Sequence, residues 1–208
     1  MREPPIEPYE SAEPMYAAAA DSFCELVSRK AAGETPVRIA LSGGSTPRRL
    51  YQILAGRELP WSQIHWFWGD ERNVDPSHED SNYRMVLETL LDPIGATPAN
   101  VHPVPVNVDN PQTAALGYQQ TLHDHFPGDP FPVWDLVLLG MGDDAHTASL
   151  FPGTAAVDDC ENWFVANWVE KFDSYRYTLT ASAINSAREC WFLVSGPGKR
   201  DAMTRVLS

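Results

Sequence analysis

No stretch of this chain approaches about 18 consecutive apolar residues, so a transmembrane helix is not expected. The opening MREPPIEPYE has no apolar core and reads as a charged, proline-rich arm over residues 1–10 instead of a secretory signal. Cysteine is scarce: Cys24, Cys160 and Cys190 are odd in number, far apart and form no C-x-x-C. That usage fits reduced thiols and a cytoplasmic location, not a disulfide framework or a zinc site. Positive charge is in short supply, with 15 Lys plus Arg against 28 Asp plus Glu and a formal net charge of −13. Sequence-independent nucleic-acid binding needs a basic face and is disfavoured. A few local Arg and Lys can still build a pocket for an anionic small molecule. Internal repeats, low-complexity tracts and interior linkers are also missing, so residues 1–208 read as one domain.

What is present is alternation. Met15, Ala19, Phe23, Leu26 and Val27 recur at helical spacing, and Gly33 is a plausible stop. Val37–Leu41 is a short apolar run that suits a buried strand, and it feeds into Ser42-Gly43-Gly44-Ser45-Thr46-Pro47. Thr46 is a good N-cap and Pro47 a good first helical residue. Further strands are expected at Ile64–Trp68, Trp134–Leu139, Phe164–Val169, Tyr175–Leu179 and Trp191–Val194. Val101–Val106 carries two prolines and reads as an edge strand or extended loop. Helices are expected from Asp80 or Ser81 to about Leu91, over Pro111–His125, and more briefly over Ala181–Ala187 and Lys199–Leu207. Strand and helix in turn imply an α/β protein with a mostly parallel sheet.

Three loops follow expected strands, and ligands of open α/β sheets bind outside the carboxyl ends of the strands. In the first, Gly43 and Gly44 let backbone amides approach an anion, the helix end adds its dipole, and Ser42, Ser45 and Thr46 add hydroxyls. Spacing alone leaves a phosphate cradle and a well-capped tight turn equally open. Neither G-K-[ST] nor G-x-G-x-x-G is completed, which disfavours a nucleotide. In the second loop, Arg72 can grip a phosphate while Asp70 and Glu71 orient it or meet sugar hydroxyls; a solvated charged turn is the alternative. Asn82 and Arg84 open the next helix, within reach of the same crevice, and read more simply as surface residues. In the third loop, His146 follows a glycine-rich strand end, with Asp144 two residues earlier to orient its ring. Imidazole titrates near neutrality and can take and return a proton. A capping or surface histidine is the plainer alternative. His123 and His125 point different ways on their helix, which disfavours a metal site there, and His65, His78 and His102 show no companions in sequence. Arg176 and Lys199 are isolated basic residues near late strand ends.

Taken together, L-S-G-G-S-T-P-x-x-L-Y (Leu41–Tyr51), D-E-R-x-V (Asp70–Val74), S-N-Y-x-M (Ser81–Met85) and L-G-M-G-x-D-x-H-T-A-S-L-F-P-G (Leu139–Gly153) resemble the 6-phosphogluconolactonase family. R-x-T-L-T (Arg176–Thr180), Ala187-Arg188 and G-x-x-K (Gly196–Lys199) are similar too. The resemblance implies a Rossmann-like three-layer architecture with helices on both faces of the sheet. It implies hydrolysis of 6-phospho-D-glucono-1,5-lactone to 6-phosphogluconate, the lactonase step of the oxidative pentose phosphate pathway. His146 would be the general base, with Asp144 beside it. Ser42, Gly43, Gly44, Ser45, Thr46, Asp70, Glu71, Arg72, Arg176 and Lys199 would contact substrate and phosphate. Backbone amides of the Gly142–Ala145 turn, or a basic side chain, would hold the oxyanion.

No metal or cofactor is called for. The implied partner is a sugar phosphate lactone, with no nucleic acid or membrane, and the expected assembly is a monomer or weak homodimer. The related glucosamine-6-phosphate deaminase/isomerases usually continue toward I-A-F-N-E-P where this chain has Thr147-Ala148-Ser149-Leu150-Phe151-Pro152, and the glutamate their chemistry recruits is missing. A non-catalytic sugar-phosphate sensor is the rival from another class. Two departures stand out. Ala145 replaces a usual glycine and would cost about 1–2 kcal/mol if its backbone is left-handed. Asp173-Ser174-Tyr175 replaces a usual proline, which bears on the placement of Arg176. The chain stops at Ser208 in what reads as a last helix, short of a further family segment.

Overall fold

The computed structural model describes residues 5–33 and 35–207; residues 1–4 of the expected arm lie outside the described residues. Residues 5–10 carry no regular structure, and α1 follows at Ala12–Ala31. Then come β1 (Val37–Leu41), α2 (Ser45–Leu54), β2 (Ile64–Trp68), β3 (Asp70–Arg72) and α3 (Asn82–Val86), which runs on through a π-helical turn at Leu87–Leu91. The second half holds α4 (Pro111–His125), β4 (Leu136–Leu139), β5 (Phe164–Val169), β6 (Ser174–Leu179), α5 (Ala181–Asn185), β7 (Cys190–Phe192) and α6 (Arg200–Leu207).

The expected parallel sheet is present, in the order β2-β1-β4-β7. Trp66 and Phe67 show how it is covered. Successive strand residues point to opposite faces. Trp66 stacks on Phe23 of α1, with ring centroids 6.4 Å apart, while Phe67 meets Phe126 just beyond α4 at 5.7 Å and Trp134 at 5.3 Å. Helices therefore cover both faces, and every residue of β1 except Arg38 is fully buried. Val101 adds a single parallel bridge to Trp66, which makes Val101–Val106 the extended edge segment that its prolines demand.

Three sequence expectations are corrected. A second, antiparallel sheet β3-β6-β5 stands beside the first, and its strand β3 is the Asp70–Arg72 segment read from sequence as a loop. Three charged residues carry no strand signal; their pairing with β6 supplies it. Second, α2 starts at Ser45 with Gly44 as its N-cap, not at Thr46 and Pro47. The Gly44 backbone has φ +99°, which a side chain would resist. Third, His65 and His102 are not without companions: they meet His125 on the α4-covered face of the sheet beside Phe67. Residues so far apart in sequence give no local sign of that meeting.

Two features of the fold yield measurable consequences. Glu71 is 2% exposed, and its carboxylate accepts the backbone N–H groups of Arg72 (2.7 Å), Asn82 (2.8 Å) and Tyr83 (2.7 Å), closing the start of α3. Burial outweighs those donors and raises its pKa from 4.5 to about 7. The folded state thus keeps this proton to higher pH than the unfolded chain. The stabilisation is complete below about pH 4.5 and is lost as pH rises through about 7. Urea denaturation should show wild type losing about 3 kcal/mol relative to Glu71→Gln between pH 4.5 and 8; parallel profiles for the two would refute the shift. Ala145 has φ +71°, the left-handed conformation in which a β-carbon is strained. Ala145→Gly should gain about 0.5–1 kcal/mol of stability once the looser unfolded chain is counted. A lower midpoint in the same denaturation would contradict it.

Candidate active site

The order β2-β1-β4 means that the chain leaves β1 toward β2 on one side and finds β4 on the other. At such a reversal the loops after the two central strands diverge and leave a crevice. A cleft of about 460 Å³ lies there, walled by the loops after β1, β4 and β7 and by β3 and β6. It brings together Ser42, Gly43, Gly44, Ser45, Thr46, Asp70, Arg72, His146, Arg176 and Lys199, as the sequence led us to expect. Glu71 and Asp144 do not line it.

The loop after β1 is fixed from beneath. Tyr51 Oη accepts the Ser42 N–H at 3.1 Å and donates to the Ser42 carbonyl at 2.9 Å, so α2 holds the loop that precedes it. Gly43 lies directly against Asn82, and a β-carbon there would collide with that amide side chain. Asn82 in turn donates to the Asp70 carbonyl at 3.0 Å. Asn82 is 2% exposed, which corrects its reading as a surface residue; Arg84 is on the surface, paired with Glu88 at 2.7 Å. Ser42 Oγ is buried, lines the cleft and has no hydrogen-bond partner among the described residues. The first backbone bond of α2 runs from Arg48 to Gly44, and Pro47 has no N–H. The amides of the first turn are thus left for a ligand, with the positive end of the helix behind them.

Strand β3 sorts its three charges by alternation. Asp70 and Arg72 face the cleft, and Glu71 faces the other way into the start of α3. Glu71 is therefore a scaffold residue, contrary to its expected place among the substrate contacts. Asp70 accepts Ser149 Oγ at 2.9 Å and is 8% exposed. Arg72 pairs in register with Arg176 of β6, placing two guanidinium groups on neighbouring strands of one cleft wall. Arg176 lies 4.9 Å above the Phe172 ring. Burial, and then the charge of Arg72, push its pKa below the usual arginine value. Asp173 accepts the left-handed φ of +46° just before β6, so the missing proline does not displace Arg176 from the wall. Lys199 joins from the turn before α6. Among the described residues, none of Arg72, Arg176 and Lys199 is in an ion pair.

On the opposite wall, His146 Nδ1 lies 2.5 Å from Asp144 Oδ1, which also accepts the His146 N–H at 3.2 Å. Burial raises the Asp144 pKa, but the His146 side chain and amide and the Lys171 charge bring it down to about 2. An ionised Asp144 accepts the Nδ1 proton and leaves the Nε2 lone pair as the basic atom of the ring. Phe151 holds the ring at a centroid distance of 3.9 Å. Gly142 is required here, since a β-carbon would run into the His146 ring and the Asp144 carboxylate. The amides of Gly142, Asp144 and Ala145 donate within the loop, to the His146 carbonyl, Asp143 Oδ1 and the Gly142 carbonyl. These three are engaged within the loop, which turns the oxyanion role toward the basic side chains.

Sequence reasoning did not identify Ser195, whose hydroxyl sits 3.0 Å from Thr46 Oγ1 and 3.3 Å from Tyr16 Oη at the end of β7. It also did not single out Phe151 and Phe172, the aromatic floor between His146 and Arg176. Phe151 lies within the long third motif, which was the available signal. Ser195 and Phe172 sit in segments with no motif of their own.

Comparison with known proteins agrees with this geometry. Residues 10–208 match the family described as glucosamine-6-phosphate isomerases/6-phosphogluconolactonase. A 6-phosphogluconolactonase of Nostoc sp. is 46% identical over 172 residues, covering 82% of this chain and 71% of that protein. The one from Mycobacterium leprae is 35% identical over 210 residues, covering 97% and 85%. The solved structure of 6-phosphogluconolactonase from Trypanosoma brucei superposes with a TM-score of 0.90 at 28% identity, covering 99% of this chain and 87% of that one. The family match spans almost the whole length, and the protein belongs to the glucosamine-6-phosphate isomerase/6-phosphogluconolactonase family.

Proposed function

We propose that the chain is a 6-phosphogluconolactonase, a hydrolase that opens 6-phospho-D-glucono-1,5-lactone to 6-phosphogluconate. The observation that carries this reading is one cleft that holds a carboxylate-oriented imidazole together with Arg72, Arg176 and Lys199, none of them in an ion pair among the described residues. The names of the relatives supply the substrate; the residues supply a route. Arg72, Arg176 and the first turn of α2, with Ser42 Oγ and Thr46 Oγ1, take the phosphate. Asp70 is left to accept a sugar hydroxyl. His146 Nε2 takes a proton from a water molecule as its oxygen attacks the lactone carbonyl. Asp144 steadies the imidazolium. The tetrahedral oxyanion falls to a cation of the cleft not engaged by phosphate, for which Lys199 is suited. As the intermediate collapses, the ring C–O bond breaks and the imidazolium returns its proton to the departing hydroxyl oxygen. A lactone carbonyl is already electrophilic, so this route calls on no metal or cofactor. Three unpaired cysteines fit a reducing cytoplasmic compartment.

The deciding experiment compares hydrolysis of the phosphorylated lactone and of glucono-1,5-lactone, each above its spontaneous rate. A large excess only on the phosphorylated substrate is expected; no excess on either would defeat the reading. Ammonia release from glucosamine 6-phosphate would point to the deaminase/isomerase chemistry instead. In the same assay, His146→Ala should lower kcat by about 10²–10⁴-fold with little change in KM. Arg176→Ala should act mainly on KM. A His146→Ala enzyme with near-normal kcat would remove His146 from the mechanism.

A further inference from the structure

The three histidines beside Phe67 are not used by the cleft. His65 is the second residue of β2, His125 closes α4, and His102 follows the Val101 bridge, its N–H donating to the Trp66 carbonyl at 2.9 Å. One ring nitrogen of each lies within 4.8 Å of the other two, and His65 Nδ1 is 3.0 Å from His102 Nε2. All three are half-buried, so the cluster reaches solvent. It lies near the amino ends of the strands. Arg38, the register partner of His65, is roughly 13 Å along β1 from the cleft residue Ser42 at about 3.3 Å per residue.

We propose that His65, His102 and His125 form a binding site for a zinc ion, independent of the catalytic cleft. Zinc takes imidazole nitrogen at about 2.0–2.1 Å in tetrahedral geometry, which sets the nitrogens about 3.3 Å apart. The observed spacing needs ring rotations on the order of an ångström to reach that. Three ligands leave a fourth position, on the open side of the cluster, for water. Ligation requires neutral imidazole. Arg38 is the adverse charge: its guanidinium lies 4.9 Å over the Phe126 ring and weakens the site for any cation. No carboxylate is among the ligands, which favours a nitrogen-preferring transition ion over magnesium or calcium. Because the ligands come from a strand, a loop and a helix end, the ion would clamp those elements together.

Calorimetric titration of zinc into the metal-free full-length chain tests the site. One ion per chain should bind, and His102→Gln and His125→Gln should each weaken binding by about tenfold or more. His146→Ala should bind as wild type does. At about a hundredfold excess over Kd the wild-type Tm should rise by roughly 5 °C or more. Should a histidine variant fail to fold, NMR of the unmodified chain replaces it, and zinc should shift three imidazole ring systems together. The proposal is overturned by no binding at millimolar zinc. It is equally overturned by affinity unchanged in His102→Gln and His125→Gln, by loss of binding in His146→Ala, or by a shift confined to a single imidazole.

Discussion

The reversal of strand order at β1 is the constraint on which the rest depends. With β2 on one side and β4 on the other, the loops after β1 and β4 part and cannot close over one another. The central strands are almost wholly apolar and buried on both faces by helices, so their ends are fixed by the core itself. A loop anchored at a rigid strand end can carry groups that must be placed to within a fraction of an ångström. Ser42 and Gly140 stand one residue beyond such ends.

The second sheet then decides the charge of the cleft. Antiparallel pairing of β3 with β6 sets Arg72 opposite Arg176, an arrangement that like charges resist. Phe172 offsets part of this by accepting Arg176 on its ring face. The remainder is relieved when an anion lies between the two guanidinium groups. A chain with net charge −13 thus keeps a local positive wall in its cleft. The rest of its surface repels the same anions at long range.

Local strain and close approach concentrate around His146. Gly142 and Ala145 bend the backbone so that three of the loop's own amides are satisfied inward, and the side chains of Asp144 and His146 meet. Lys171 reaches Asp144 from the β5–β6 connection, so both sheets touch the loop that carries His146. The same economy places Glu71 and Asn82 beneath it: one closes the start of α3, and the other ties the β1 loop to β3.

Much of this was legible in the residues. The bounds of β1, β2, α4 and β5 follow from apolar runs and proline or glycine punctuation, because each of those signals acts within a few residues. The glycine loops and His146 with Asp144 were readable for the same reason. Other features depended on groups distant in sequence. β3 is a strand only because β6 pairs with it, and Glu71 faces inward only because that pairing fixes the alternation. Asn82 is buried only because Gly43 leaves room for it, and Ser195 enters the cleft only because β7 joins β4. His65, His102 and His125 carry no mutual signal along the chain, and packing of α4 on the sheet brings them together. The sequence by itself determined the elements, the loops and the chemistry they carry, since propensity and periodicity are short-range. Tertiary structure alone decided which charged side chains face the cleft and which serve as scaffold, since that choice follows from strand register and burial between segments far apart.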